Sequence, residues 1–359
     1  MKTGIEQVRF DGRKPFIIAG PCSAETREQV LETCTALAAT GRVDMLRAGV
    51  WKPRTKPGTF EGAGARGLAW LTEARGATGL PVAVEVATAR HVESALRHGI
   101  DAVWIGGRTT VSPFAVQEIA DAVRGQRGVA VLIKNPVNPD IDLWSGAVER
   151  LLAAGVEQLA LVHRGFSYSG VGQPYRNSPM WHLVLEMRAR WPHLAMICDP
   201  SHIAGRREHL REVAQTAADL RYDGLMIESH VCPSQALSDA EQQITPAALD
   251  ALLSEIRWRS PDGGDPEFAR RLEQFRREID QIDAELFTLL GRRMQIADMI
   301  GEEKRANNVA ILQHDRWRDI VERVSLRAAE LGLSPAFVKT VLEAIHIESI
   351  DRQNRIMNK

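Results

Sequence analysis

The sequence predicts an α/β chain in two parts, a (β/α)8 TIM barrel followed by a smaller all-helical domain. In the first part, eight short apolar runs alternate with amphipathic stretches over about 250 residues, which is the pattern of a parallel barrel. In the second part, apolar residues recur at intervals of three and four, as on one face of a helix.

The break between the two parts is the segment RSPDGGDPE, which combines two prolines, adjacent glycines and acidic residues without an apolar period. A chain of 359 residues suits one large domain and one smaller domain. We therefore predict a barrel domain over residues 1–258, a linker over residues 259–266 and a helical domain over residues 267–359.

The composition indicates a soluble enzyme. The net charge is -1 and charged residues make up 25% of the chain, which argues against a nucleic-acid-binding or membrane-surface role. No apolar run has membrane-spanning length, and the N-terminal MKTGIEQVRF lacks the core of a signal peptide. The four cysteines are too scattered for a secreted disulfide framework. We expect a cytoplasmic protein with neither nucleic acid nor membrane as a partner.

The eight predicted strands are PFIIAG, DMLRAG, LPVAVEV, DAVWIG, VAVLIKN, EQLALVH, LAMICD and DGLMIE. The candidate helices between them include residues 28–40, 91–98, 113–124, 146–154 and 206–220. Eight units favour a closed barrel, and a doubly wound open sheet is the alternative. No GxGxxG motif opens the first helix after a strand, so a dinucleotide site has no support.

One group of residues at the predicted strand ends has the donor types of a divalent-metal site. Cys22 follows the first run, His202 follows the seventh, Glu228 ends the eighth, and Asp239 lies shortly after it. These runs are remote in sequence, but a closed barrel makes the eighth and first strands neighbours. A lone cysteine or histidine is usually a packing residue, so the prediction depends on their common place at one barrel end.

A second group at the same strand ends is cationic or polar. Its members, from the second to the sixth run, are Arg47, Lys52, Arg54, Thr55, Glu85, Arg108, Lys134 and Arg164. Basic residues in loops are ordinarily solvated, but their recurrence after successive strands predicts a site for anionic substrates, phosphates above all.

The strings AGPCS, LRAGVWKPRT, IKNP, HRG, DPSH and ALSD resemble the type I-beta 3-deoxy-D-arabino-heptulosonate 7-phosphate (DAHP) synthases over residues 1–256. The resemblance implies a metal-dependent (β/α)8 barrel that condenses phosphoenolpyruvate with erythrose 4-phosphate. It implies Cys22, His202, Glu228 and Asp239 as metal ligands, with Mn²⁺ expected and Fe²⁺, Co²⁺ or Zn²⁺ also compatible. The related eight-carbon (KDO 8-phosphate) synthases differ where this chain has KPRT.

The resemblance also implies roles for the second group. Arg47 and Lys52 would lie around the phosphoenolpyruvate carboxylate and the reacting carbonyl, and Lys52 would be the catalytic acid. Arg108, Lys134 and Arg164 would bind the phosphate of phosphoenolpyruvate, and Arg54 with Thr55 would bind the aldose phosphate.

The helical part begins with one long amphipathic helix, predicted over residues 268–304. Its apolar residues are Leu272, Phe275, Ile279, Ile282, Leu286, Leu289 and Leu290. Two more helices are predicted over residues 315–330 and 335–357, the latter with Ser334 as N-cap and Pro335 in the first turn. So long a first helix cannot bury its stripe within a small domain, so we expect a homodimer through intertwined helices.

This part resembles the all-helical chorismate mutases over about 90 residues. The matching binding residues are Arg276, Arg293, Lys304, Arg316, Ser349 and Gln353. The resemblance implies rearrangement of chorismate to prephenate, with Lys304 and Gln353 catalytic at the ether oxygen and Arg276 supplied by the other subunit. Gln313 and Trp317 depart from the pattern, because single-domain members often have acidic residues there.

Three hypotheses follow for the whole chain. The first is an enzyme with both activities. The second is a synthase whose helical domain only binds prephenate or chorismate as a regulatory and dimerisation module. The third is a KDO-type synthase, which would prefer arabinose 5-phosphate. Fusion of two enzymes of one pathway also suggests that prephenate regulates the barrel.

Overall fold

A computed structural model describes residues 8, 10, 14–52, 58–168, 174–260, 264–312 and 314–358, without the side chains of residues 314–316, 325 and 329. Packing divides the chain into two compact units, residues 1–261 and residues 262–359. The described strands all belong to the first unit, and the second unit is helical.

Eight parallel strands close into a barrel in the order of the sequence. They are β1 (Phe16–Gly20), β2 (Met45–Ala48), β3 (Val82–Val86), β4 (Ala102–Ile105), β5 (Ala130–Lys134), β6 (Leu159–His163), β7 (Ala195–Cys198) and β8 (Gly224–Glu228). The first and last strands pair in parallel, from Phe16 with Gly224 to Gly20 with Glu228. The prediction of eight strands is confirmed, and the open-sheet alternative is wrong because this pairing closes the sheet.

The helices of the first unit lie between these strands, except for the last one, which follows β8. They are α1 (Arg27–Ala39), α2 (Ala65–Thr78), α3 (Ala89–Arg97), α4 (Gly107–Thr110), α5 (Pro113–Val123), α6 (Ile141–Ala153), α7 (Trp181–Arg190), α8 (Pro200–Ala204), α9 (Leu210–Asp219) and α10 (Pro246–Glu255). The helix predicted from Gly146 begins earlier, because the Asp140 side chain accepts a hydrogen bond from the Leu143 amide and caps α6. The helix predicted from Arg206 begins as a 3-10 turn, Arg207–His209, before α9.

The barrel unit has two apolar layers, because successive residues of a strand face opposite sides of the sheet. On β4, Val103 and Ile105 pack in the outer layer against the helices, whereas Ala102 and Trp104 pack inside the barrel. Small inward side chains occupy the two strands that flank β4, namely Ala83 on β3 and Ala130 on β5. They are in register with Ala102, so small side chains form one level of the barrel interior next to the level of Trp104.

Two glycines permit the close approach of β1 to the strands on either side of it, Gly20 toward β2 and Gly224 from β8 at the closure. A Cβ atom on Gly20 would lie 2.0 Å from the carbonyl oxygen of Arg47, and one on Gly224 would lie 2.1 Å from that of Phe16. Gly20 also has a φ of +153°, which side chains rarely adopt. Both positions therefore require glycine.

The second unit consists of α11 (Pro266–Ala306), α12 (His314–Glu330) and α13 (Pro335–Met357). The Ser334 hydroxyl accepts from the Phe337 amide and Pro335 opens the helix, which confirms the predicted start of α13. Tight packing joins α11 to α13, since a Cβ on Gly301 would lie 3.2 Å from Cγ of Gln353. Among the described helices, none combines the length and the apolar character needed to cross a bilayer.

Most of the apolar stripe of α11 is exposed in the single chain. Five of its large side chains expose between 49% and 63% of their surface, namely Phe275, Ile279, Ile282, Leu286 and Leu289. Exposed apolar surface of this extent is typical of a protein interface.

We predict opposite effects on stability for two glycine-to-alanine substitutions. Gly224→Ala should lower the free energy of unfolding by about 1–3 kcal/mol, because the added Cβ overlaps the Phe16 carbonyl at the closure. Gly76→Ala, in α2 with open space around it, should raise that free energy by about 0.5–1 kcal/mol. Calorimetric melting of both variants measures this, and a Gly224→Ala protein that melts like the wild type would contradict the close approach.

Candidate active site

A polar cavity of about 670 Å³ opens at the carboxyl ends of the strands. Many of the predicted site residues line it, namely Lys52, Glu85, Arg108, Lys134, Arg164, His202 and Asp239. Cys22, Arg47 and Glu228 are buried next to it, and Nζ of Lys52 lies 3.1 Å from Sγ of Cys22. The described members of the two predicted groups therefore share one end of the barrel.

The side chains predicted as metal ligands come together across the closure. Ligand atoms of Cys22, Glu228 and Asp239 all lie within 4.8 Å of one another. His202, from α8, lies beside this group, with Nε2 3.8 Å from Oε1 of Glu228. One thiol, one imidazole and two carboxylates are a donor set that divalent transition metals accept.

Two further features of this cluster fit a cation. The buried Oε1 of Glu228 accepts no hydrogen bond from any described residue, although Nη2 of Arg47 lies 3.2 Å away. Asp239 has a φ of +48°, a left-handed conformation that is uncommon outside glycine and concentrates at functional sites. The loop after β8 thus holds the Asp239 carboxylate in place at a conformational cost.

Burial sets the protonation of the cluster. Desolvation and the Glu228 charge raise the pKa of Cys22 to about 12, so the thiol keeps its proton at neutral pH when no cation is bound. Desolvation lowers the pKa of His202, which leaves a neutral imidazole that can act as a ligand. A metal ion that binds here must displace the Cys22 proton.

Asp199 connects the two groups of residues. Its buried carboxylate lies 3.0 Å from Nδ1 of His202 and accepts a hydrogen bond from Nζ of Lys134 at 2.6 Å. The contact with Nδ1 orients the imidazole so that Nε2 faces Glu228. No role was predicted for Asp199, although its position directly after β7 was an available signal.

The basic side chains of the cavity are poorly balanced by acids. Burial lowers the pKa of Lys134, and it lowers the pKa of Arg164 to about 10. Burial would also lower the pKa of Lys52, but the nearby Cys22 and Glu85 reverse this and raise it. Lys52 therefore stays protonated at neutral pH, and an anionic ligand would relieve the unfavourable burial of Lys134 and Arg164.

The remaining predicted residues of the barrel have different outcomes. Glu85 packs against Gly106, where a Cβ atom would lie 2.1 Å from Oε1. Arg108 belongs to α4 and faces the cavity. Arg54 and Thr55 lie outside the described residues.

Arg176 and Asn177, after β6, also line the cavity and were not predicted. Nη1 of Arg176 donates to Oδ1 of Asp239 at 3.0 Å. Oδ1 of Asn177 accepts from Nη1 of Arg164 at 2.9 Å, and its Nδ2 donates to the His202 carbonyl at 2.6 Å. Arg176 and Asn177 therefore connect basic side chains of the cavity with the metal-type cluster. They were not predicted because they do not directly follow a strand.

In the helical unit, polar side chains of α11 and α13 meet. Nη1 of Arg293 donates to Oγ of Ser349 at 2.7 Å, and Nζ of Lys304 donates to the Ile311 carbonyl. Gln353 is buried, and its Oε1 has no hydrogen-bond partner among the described residues. An amide held in this way can still bind a ligand.

Four other positions of the helical unit were singled out in the sequence, namely Arg276, Gln313, Arg316 and Trp317. Arg276 is exposed on α11 and lies seventeen residues, or about 25 Å along the axis, from Arg293. Arg316 belongs to α12, but its side chain is outside the described part. Trp317 stacks on His346 with ring centroids 4.1 Å apart, whereas Gln313 is not described.

Family models match both units. The model of the DAHP synthetase I family matches residues 5–260, and that of chorismate mutase type II matches residues 275–354. The two matches follow one another along the chain, as the two resemblances predicted.

Individual relatives match the barrel unit. A phospho-2-dehydro-3-deoxyheptonate aldolase of Thermotoga maritima is 31% identical over 241 residues, 67% of this chain and 68% of the relative. A 2-dehydro-3-deoxyphosphooctonate aldolase of Nitratidesulfovibrio vulgaris is 28% identical over 267 residues, 67% of this chain and 90% of the relative. The crystal structure of a Thermotoga maritima DAHP synthase superposes with a TM-score of 0.61 at 30% identity, covering 68% of each chain.

Removal of the Asp199 charge tests its connecting position. Asp199→Asn should weaken the binding of a divalent ion by about 10–100-fold, because the His202 ring loses its orienting partner. Calorimetric titration with Mn²⁺ measures the affinity. Asp142→Asn, on an exposed side chain paired with Arg190, is the matched control and should bind the ion as the wild type does. Equal affinities in both variants would contradict the orienting role.

Proposed function

Because the chain belongs to the DAHP synthetase I family and carries a chorismate mutase type II domain, we propose that each domain catalyses the reaction of its family. The barrel is a DAHP synthase domain and the helical part is a chorismate mutase domain, so the chain is a bifunctional enzyme of the shikimate pathway. The observation that carries the proposal for the barrel is the cluster of Cys22, Glu228 and Asp239 beside a cavity lined with basic side chains.

A divalent metal ion fits the cluster, and we assign Cys22, His202, Glu228 and Asp239 as its ligands. The donor set, the unpartnered Oε1 of Glu228 and the neutral His202 support this assignment. When bound, the ion would supply Lewis-acid polarisation of the aldehyde of the aldose phosphate. Mn²⁺ is the expected ion, and Fe²⁺, Co²⁺ or Zn²⁺ are compatible with the same donors.

The basic side chains bind and orient two anionic substrates. Arg47 and Lys134 are buried in the barrel mouth, where they can hold phosphoenolpyruvate together with Arg108 and Arg164. Arg54 and Thr55 are proposed for the phosphate of erythrose 4-phosphate, and Glu85 for a substrate contact near Lys52. Holding two anions that repel each other in solution lowers the barrier mainly by positioning.

Lys52 is the proposed acid. C3 of phosphoenolpyruvate forms a bond to the aldehyde carbon, and the aldehyde oxygen takes a proton from the Nζ ammonium of Lys52. Water then adds to C2, and cleavage of the C2–O bond releases inorganic phosphate. The raised pKa of Lys52 supports this assignment, because the ammonium form prevails at neutral pH.

The helical domain is proposed to convert chorismate to prephenate without a nucleophile. The two carboxylates of chorismate would bind Arg293, Arg316 and Arg276. The ether oxygen would accept hydrogen bonds from Lys304 and Gln353 as negative charge develops there. Ser349 supports this by holding the Arg293 guanidinium. The reaction then needs conformational restraint and oriented donors only.

A homodimer through the helical domain is proposed from the exposed stripe of α11. Burial of each large apolar side chain contributes about 1.5–3 kcal/mol, so the stripe from Phe275 to Leu289 favours association strongly. A second copy would also bring its Arg276 to the site that Arg293 of the first copy occupies. A cytoplasmic location belongs to the same proposal.

Two alternatives are separated by assay. A helical domain that only binds prephenate or chorismate as a regulator would leave chorismate unchanged. Feedback regulation by prephenate is compatible with both interpretations, and it would change the condensation rate without abolishing turnover of chorismate. A KDO-type synthase would prefer arabinose 5-phosphate to erythrose 4-phosphate. The Arg293–Ser349 hydrogen bond and the unpartnered Oε1 of Gln353 supply polar groups that turnover or binding would use, so chorismate consumption is the assay that separates the two.

Metal removal should separate the two activities in one preparation. Treatment with a chelator should abolish condensation and leave chorismate rearrangement unchanged, and added Mn²⁺ should restore condensation. Assays for phosphoenolpyruvate and chorismate consumption measure the two activities, and a parallel loss of both would contradict two independent sites.

Affinity for Mn²⁺ should fall as the pH falls, because the Cys22 proton with a pKa of about 12 competes with the ion.

Subunit mixing should test the shared mutase site. Arg276→Ala and Arg293→Ala should each be inactive toward chorismate. A re-equilibrated equal mixture should regain about a quarter of wild-type activity, because each heterodimer holds one intact site. DAHP synthase activity of the same samples serves as the control and should stay constant. A mixture no more active than its components would place Arg276 outside the partner's site.

A further inference from the structure

Trp104 lies inside the barrel and has no role in the reaction derived so far. It is fully buried on β4, pairs in register with Glu85 on β3, and faces inward with Ala102. Its Nε1 has no hydrogen-bond partner among the described residues. A buried indole usually finds such a partner, so the position of this ring is set by something other than hydrogen bonding.

The face of the indole meets two buried cations. The guanidinium carbon of Arg47 lies 4.6 Å from the ring centroid, and Nζ of Lys134 lies 5.7 Å from it. Both distances are within the range of cation–π attraction. The two cations come from β2 and β5, on opposite sides of β4 in the barrel.

Arg47 retains polar groups that the protein does not use. Its side chain is 1% exposed, yet Nε and Nη1 have no hydrogen-bond partner within the described residues. Only its Nη2 lies near an acid among the described residues, 3.2 Å from Oε1 of Glu228. Unpaired donors on a buried cation are unfavourable, so their persistence points to an acceptor that arrives with the ligand.

We propose that Trp104 is a positioning residue for the phosphoenolpyruvate site, an inference that rests on the proposed synthase function. The π face attracts Arg47 and Lys134 without accepting their N–H groups, so those donors stay directed to the substrate oxyanions. A carboxylate in the place of Trp104 would also attract both cations, but it would consume the donors and cancel their charge.

The neighbouring residues support this placement. Asp199 already accepts a hydrogen bond from the Lys134 ammonium, and Glu228 is shared with the metal-type cluster, so neither acid can hold both cations. Ala83, Ala102 and Ala130 belong to the same inner apolar cluster as Trp104. Burial lowers the pKa of Lys134, and the aromatic face favours the charged form that substrate binding requires.

Kinetic analysis of two substitutions tests the role of the ring face. Trp104→Leu should raise KM for phosphoenolpyruvate about tenfold, because phosphoenolpyruvate is the substrate proposed to contact Arg47 and Lys134. KM for erythrose 4-phosphate should stay within about twofold of the wild-type value. Trp104→Phe keeps an aromatic face and should retain most of the affinity. An unchanged KM for phosphoenolpyruvate in Trp104→Leu, or equal losses in the Leu and Phe variants, would overturn the proposal.

Trp144→Leu is the matched control for loss of a buried indole. Trp144 is equally buried but lies in α6 and packs in the outer layer, where Nε1 donates to the Ile133 carbonyl. This variant should melt at a lower temperature and keep the wild-type KM for phosphoenolpyruvate. If wild-type enzyme condenses no phosphoenolpyruvate with erythrose 4-phosphate, the proposed function fails. If wild type is active and both leucine variants change KM equally, only the positioning role fails.

A fluorinated tryptophan tests the same idea when the leucine variant does not fold. Fluorine withdraws charge from the ring face with little change of volume, so uniform 5-fluorotryptophan labelling should weaken phosphoenolpyruvate binding several-fold by calorimetry. The same labelling in Trp104→Phe should have no effect on that affinity. An equal effect of the label in both backgrounds would assign it to the other tryptophans and overturn the proposal.

Discussion

The pairing of β8 with β1 is the contact on which the barrel site depends. It places Gly20 beside Glu228, so that the thiol after one strand and the carboxylate at the end of the other face the same point. Asp239 reaches that point from the following loop in a left-handed conformation. Residues separated by some two hundred positions thus become neighbours through strand pairing, and no local element could bring them together.

Charge balance is the second constraint at the mouth of the barrel. Asp199 and Glu228 each contact one buried cation and also one part of the metal-type cluster. The two carboxylates are therefore shared between the cations and the metal-type cluster. A change of charge in the cluster alters how strongly each carboxylate attracts Lys134 or Arg47. Trp104 adds attraction without adding charge, which is consistent with a site that must still accept anions.

The sequence was sufficient for the strands and for most of the residues around the cavity, because alternation of apolar and polar residues and the ends of parallel strands are local signals. It was insufficient for Asp199, Arg176 and Trp104. Asp199 acts through its contacts with Lys134 and His202. Lys134 is distant in the sequence, and the contact with His202 depends on the geometry of the turn that joins the two residues. Trp104 looks like any apolar residue of a buried strand, and only the closed barrel puts Arg47 and Lys134 on its face. The start of α6 was misplaced because the capping side chain of Asp140 outweighed the helical period.

Gly20 illustrates how the close approach of β1 to β2 restricts the changes that this position can inherit. Every single-nucleotide change in a glycine codon that alters the amino acid introduces a β-carbon or ends translation. Any such β-carbon would fall 2.0 Å from the carbonyl oxygen of Arg47, the strand residue that also faces Trp104. No amino-acid substitution at this codon is therefore neutral. Homologues with another residue in place of Gly20 should also have a displaced second strand.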